Sequence, residues 1–176
     1  MYAIYNLKVK RKVWLADSFK GFPQVDTKKF KQDIPHSNDL KIEFKNSLSL
    51  VKSYFNTLGL LDHNLVFLEG FFNETLPSVK NSGRNSFSVI RFDGDLYEST
   101  IESFYYLYPL LSVGGYVIVD DYTDWIGCRE ATHDYRKACG IKEPITAVFH
   151  RPKEQVRGVY WKKTRQVDPE CWKMNF

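Results

Sequence analysis

Four short apolar runs, each closed by acidic or glycine residues, constrain this chain more than any other feature: Val13 to Asp17, Leu65 to Gly70, Phe87 to Asp95 and Tyr116 to Asp121. An apolar run bounded this abruptly reads as a strand buried in a parallel sheet, and open α/β sheets bind ligands outside the carboxyl ends of such strands. Acid thus collects where strands should stop. Several carboxylates converging on one crevice imply a cation, a proton transfer, or both.

The segments between the runs carry helical spacing. Ser47 is placed to cap a helix with Leu48, Val51, Phe55 and Leu58 on one face, closed by Gly59. After Asp95, a helix should turn Ile101, Phe104, Tyr105, Tyr108 and Leu111 inward, with Gly114-Gly115 as a tight return into Tyr116 to Val119. Another helix is predicted from Cys128 to Ala138, stopped by Gly140. Ile145 to Phe149 and Gly158 to Trp161 have no helix between them and read as a hairpin. The pattern predicts one α/β domain, a three-layer, mostly parallel sheet ending in an antiparallel pair.

Composition narrows the function classes. With 43% hydrophobic and 16% aromatic residues the chain is expected to pack as a globule. A net charge of +4 is spread widely, with denser stretches at Lys8 to Lys12, Lys28 to Lys31 and Lys162 to Arg165, so no nucleic-acid partner is expected. Cys128, Cys139 and Cys171 show neither a disulfide framework nor zinc spacing, which favours a reducing compartment. No stretch approaches the ~20 apolar residues of a membrane span, and no signal peptide is recognised, so the cytoplasm is the expected location.

The chemistry sits in the strand ends. A single crossover would bring Asp93 and Asp120 to neighbouring strand ends, on a sheet spacing of ~4.8 Å. Together with Asp121 they would repel unless a hard divalent cation such as Mg²⁺ joined them. A hydroxyl on that cation loses its proton more easily, and Asp93 is placed to take it as general base. Capping of the following helices is the plainer role for any one of these acids taken singly. Asp17 suits the acid that accepts hydrogen bonds from a nucleoside ribose, and Glu69-Gly70-Phe71-Phe72 offers a carboxylate, an unobstructed backbone and two aromatic faces for an adenine. Tyr122, Trp125 and Arg129 either shape a pocket or pack there. His36, His63, His133 and His150 have no metal spacing, and neither a nucleophile elbow nor a P-loop is present.

Asp17-Ser18-Phe19-Lys20-Gly21-Phe22-Pro23, Glu69-Gly70-Phe71-Phe72 with Thr75-Leu76-Pro77, Asp93-Gly94-Asp95-Leu96-Tyr97-Glu98-Ser99-Thr100 and Gly114 to Tyr122 together resemble the macrocin O-methyltransferase (TylF-like) family. The resemblance runs to about Lys163, making 1–163 a methyltransferase-like domain and 164–176 a tail. It implies a Rossmann-like class I methyltransferase that uses S-adenosylmethionine and a divalent metal, Mg²⁺ or similar, to methylate a hydroxyl of a sugar or other small natural product. It also implies that Asp93 is metal ligand and base, Asp120 and Asp121 metal ligands, Asp17 with Ser18 the ribose side, and Glu69, Gly70 and Phe71 the adenine side of the cofactor. The family carries a first central strand and a glycine-rich turn before the position of Val13; that piece is not found here, and Met1 to Leu7 resemble the end of the helix after it. A shortened chain, direct pairing of the neighbouring strands, or a strand from another chain are the alternatives, and self-association is an expectation.

Two other functions fit some of the same residues. Phe92-Asp93-Gly94-Asp95 contains the DxD of a metal-dependent glycosyltransferase, which would leave Asp120-Asp121 without a purpose. A relative that keeps the metal ligands but cannot hold the methyl donor would act as a partner subunit, or have no activity.

Overall fold

The structure, a computed structural model, describes residues 11–36, 46–83, 86–149 and 156–173. Met1 to Leu7 and the start of the basic stretch at Lys8 lie outside them. The described residues within Met1–Gln24 and Asp39–Thr75 form one compact unit, and those within Val25–Asn38 and Leu76–Phe176 another.

In the first unit, β1 (Val13–Asp17) and β2 (Leu65–Glu69) pair in parallel, from Val13 opposite Leu65 to Asp17 opposite Glu69. Between them in sequence runs α1 (Leu48–Thr57). Ser47 caps it by accepting from Leu50 N at 3.3 Å, and Gly59, at φ 64°, ends it with its amide on Asn56 O. The expected apolar face is only partly used. Phe55 meets Phe67 edge-on at 6.3 Å, but no α1 residue is fully buried and Leu58 is 69% exposed.

The second unit holds a four-stranded sheet in the order β3-β4-β6-β5: β3 (Phe87–Phe92), β4 (Leu111–Val119), β5 (Thr146–Phe149) and β6 (Val156–Lys162). β3 and β4 are parallel, while β6 is antiparallel to both β4 and β5, as the alternating elements and terminal hairpin predict. Pairing therefore runs in a two-stranded and a four-stranded ladder instead of one continuous sheet. The pleat turns Ile90, Phe92, Val117, Val119, Val159 and Trp161 to one face, where α3 (Tyr97–Leu107) and α4 (Ile126–Ala138) cover them. Phe104, fully buried, stacks on Tyr135 at 5.0 Å and on Trp161 at 6.0 Å.

Four details depart from the sequence reading. Gly114 and Gly115 lie inside β4: the β3–β4 register slips between Phe87 and Val89, Gly114 N donates to Lys163 O, and a Cβ on Gly115 would come within 2.7 Å of Ser88 O. Tyr108 and Leu111 are buried as expected, but from a 3-10 turn and from β4, since α3 ends at Leu107. A helix α2 (Phe72–Asn81) forms despite Pro77, with Leu76 and Val79 buried. Finally, Cys139 and Cys171 form a disulfide, contrary to their unpatterned spacing. That spacing carried no signal because the partners meet only after residues 164–173 fold back. Val167 is buried in the core, Thr164 N and Oγ1 both donate to Glu143 Oε1, and Trp172 lies 6.4 Å from Tyr135.

Candidate active site

Phe92 stands opposite Val119 in the parallel β3–β4 pair, so the residues that follow, Asp93 and Asp120, leave adjacent strands side by side. Asp120 N donates to Phe92 O at 3.0 Å, which extends the ladder one step beyond the strands. Asp93, Asp120 and Asp121 each offer a carboxylate oxygen, and these three oxygens lie within 4.8 Å of one another. β6 presses close because Gly158 has no side chain: a Cβ there would stand 2.7 Å from Val119 O and 3.0 Å from Asp120 O. The three aspartates expected to converge are therefore brought together.

Charge at this rim is only partly balanced. Asp121 is half-buried and its Oδ2 has no hydrogen-bond partner. Burial first, then the neighbouring Asp95 and Asp93 carboxylates, push its pKa up to about 8. On the outer side, Arg91 forms ion pairs with both Asp93 and Asp120, its Nη2 lying 2.6 Å from Asp120 Oδ2. Burial works against the guanidinium charge, yet Asp93 and Asp120 raise its pKa above the ordinary arginine value. Behind the acids, burial pushes the Cys128 thiol up to about 12, so it stays protonated and unreactive.

Arg91 escaped the sequence reading, and Asp95 entered it only through the DxD of the glycosyltransferase alternative. The signals were present: Arg91 precedes Asp93 by two residues on a strand, which turns both side chains to one face, and Asp95 closes the same Asp-Gly-Asp run. Tyr122 and Trp125 pack against the core, so packing is the role the structure supports for them. Tyr122 also keeps its hydroxyl 2.7 Å from His133 Nε2.

The second set of expected residues belongs to the first unit. Asp17 and Glu69 are register partners, so their carboxylates leave β1 and β2 together, both exposed. Asp17 Oδ1 accepts from Phe19 N at 2.6 Å. Ser18 is buried and its hydroxyl is engaged in the turn, donating to Gly21 O and accepting from Lys20 N. Gly70, at φ 144°, donates its amide to Asp17 O, and Glu74 turns back to accept from Phe71 N at 3.1 Å. The backbone between strand and helix is thereby fixed, with Phe71 half-buried beside it.

The family model described as Macrocin-O-methyltransferase (TylF) matches residues 2–163. The 8-demethyl-8-(2,3-dimethoxy-alpha-L-rhamnosyl)-tetracenomycin-C 4'-O-methyltransferase of Streptomyces olivaceus is 41% identical over 159 residues, which cover 88% of this chain and 56% of that protein. The mycinamicin III 3''-O-methyltransferase of Micromonospora griseorubida is 36% identical over 157 residues, covering 88% of this chain and 58% of that protein. This chain thus spans little more than half the length of the curated relatives it matches. The solved structure of the O-methyltransferase NovP superposes with a TM-score of 0.81 at 36% identity, covering 92% of this chain and 64% of that one.

Proposed function

Because the chain belongs to the macrocin O-methyltransferase (TylF) family, with the Rossmann-like α/β fold of methyltransferases, we propose that it takes part in moving a methyl group from S-adenosylmethionine to a hydroxyl of a sugar-bearing natural product, with a divalent cation at the aspartate rim. The observation that carries this reading is the gathering of Asp93, Asp120 and Asp121 at the ends of β3 and β4. Their chemistry fits the cation. All donors are carboxylate oxygens, the Asp121 Oδ2 is buried without a partner, and the three oxygens lie within 4.8 Å of one another, a donor set that suits a hard divalent cation.

Asp93, Asp120 and Asp121 would hold the cation, which supplies a Lewis acid that lowers the pKa of an acceptor hydroxyl. Asp93, exposed at the rim, takes the acceptor's proton as its oxygen bonds to the methyl carbon and the sulfur–methyl bond breaks. Asp17 would accept from ribose hydroxyls, and Glu69, Gly70 and Phe71 would flank the adenine. Ser18 contributes by shaping the turn that presents Asp17.

The test is methyl transfer to a rhamnosylated polyketide, combined with calorimetric titration of S-adenosylmethionine. Asp93→Asn should lower the rate by about 10²- to 10⁴-fold with little change in S-adenosylmethionine affinity. Chelation with EDTA should abolish transfer and Mg²⁺ should restore it. Undiminished turnover by Asp93→Asn would remove the base. No saturable heat with S-adenosylmethionine would favour a non-catalytic partner role.

A further inference from the structure

Arg91 is a cationic side chain at the aspartate rim to which the reaction above assigns no part. It lies on β3, and the same pleat turns it, Asp93 and the register neighbour Ile118 toward the face from which Asp120 projects. One nitrogen, Nη1, meets Asp93 Oδ2 and the other, Nη2, lies 2.6 Å from Asp120 Oδ2. A planar guanidinium can bridge two carboxylates this way, whereas an ammonium acts as a single point charge. These are two of the three carboxylates whose oxygens gather within 4.8 Å.

We propose that Arg91 is a positioning residue that holds Asp93 and Asp120 together in the absence of a divalent cation and is displaced when the cation binds, so that it sets the affinity of the site. The inference rests on the metal reading above. Two carboxylates released from adjacent strands repel each other, and the bridge cancels that repulsion without burying either partner. Exposure makes the bridge reversible. The Arg91 side chain is 50% exposed, so its pairs are weak and its long stem has solvent to swing into. A dication concentrates twice the charge on the same oxygens and can complete its shell with water, which a guanidinium cannot match.

The experiment titrates Mg²⁺ calorimetrically into the full chain, stripped of divalent ions, for wild type, Arg91→Gln and Arg91→Lys, with thermal melts of each in EDTA and in Mg²⁺. Wild type should show saturable binding, and Arg91→Gln should bind about fivefold more tightly, since the competing pairs are gone. Arg91→Lys should also bind more tightly than wild type, because one ammonium cannot span both carboxylates. Without cation, Arg91→Gln should melt below wild type and gain more from Mg²⁺ than wild type does. A purely structural arginine would weaken binding when removed, and that result, or unchanged affinity in Arg91→Gln, would overturn the proposal. Lysine behaving as wild type while glutamine binds more tightly would reduce Arg91 to a diffuse charge and overturn displacement. No Mg²⁺ binding by folded wild type would instead overturn the metal reading, and this inference with it. Should Arg91→Gln fail to fold, Arg91→Lys decides alone: equal or weaker binding than wild type overturns displacement.

Discussion

Lys163 is fully buried, with its ammonium donating to the carbonyls of Tyr108, Leu111 and, more distantly, Pro109. It ties the turn after α3 to the end of β6. Burial, partly opposed by Glu143, pulls its pKa from 10.5 down to about 8. Between those values the unfolded chain binds more protons than the folded one, so this residue makes stability rise with pH from about 8 toward 10.5 and leaves a constant cost below 8. In urea titrations across that window, Lys163→Met should remove this upward slope relative to wild type. An identical slope in both proteins would show that Lys163 is not the group responsible. Nothing in the sequence singled out this lysine from the surrounding basic stretch; only its enclosure among carbonyls does.

At the scale of elements, the helix that follows β3 is anchored by a residue far away in sequence. α3 has no side-chain cap of its own, and Asp33, fully buried in a 3-10 turn at Lys31–His36, accepts from Tyr97 N at 2.7 Å and Glu98 N at 3.3 Å. Its negative charge suits the positive end of the helix. Gly127 makes room for it: a Cβ there would sit 2.7 Å from Tyr97 N and overlap the Asp33 carboxylate. Asp33→Ala should cost about 1 to 3 kcal/mol in denaturant unfolding, because a buried and a part-buried amide lose their acceptor. A loss below a few tenths would show that water replaces the carboxylate without penalty. No sequence pattern pointed to Asp33, since a cap supplied from a distant turn has no local spacing to reveal it. By contrast, the Ser47 cap and Gly59 stop of α1 were legible, because both act within one turn of the helix they bound.

For the whole molecule, the Cys139–Cys171 disulfide joins the end of α4 to residues beyond the family match. Closing such a loop restricts the unfolded chain, so reduction, or Cys171→Ser, should lower stability by about 2 to 4 kcal/mol and expose the 164–173 segment to proteolysis. Unchanged urea midpoints with and without dithiothreitol would show that the packing of Val167 and Trp172 suffices alone. The sequence by itself determined the strands, the helices α1, α3 and α4 and the placing of acid at strand ends, though not α2, because hydrophobic period and turn chemistry are local and the crossover rule then makes β3 and β4 neighbours. Tertiary structure alone decided that Asp121 lacks a partner for Oδ2, that Arg91 bridges Asp93 and Asp120, that Asp33 caps α3 and that Cys139 finds Cys171. Each of these depends on separations of a few ångströms between side chains, most of them far apart in the sequence, and such distances are set by how packed elements meet, which no local periodicity encodes.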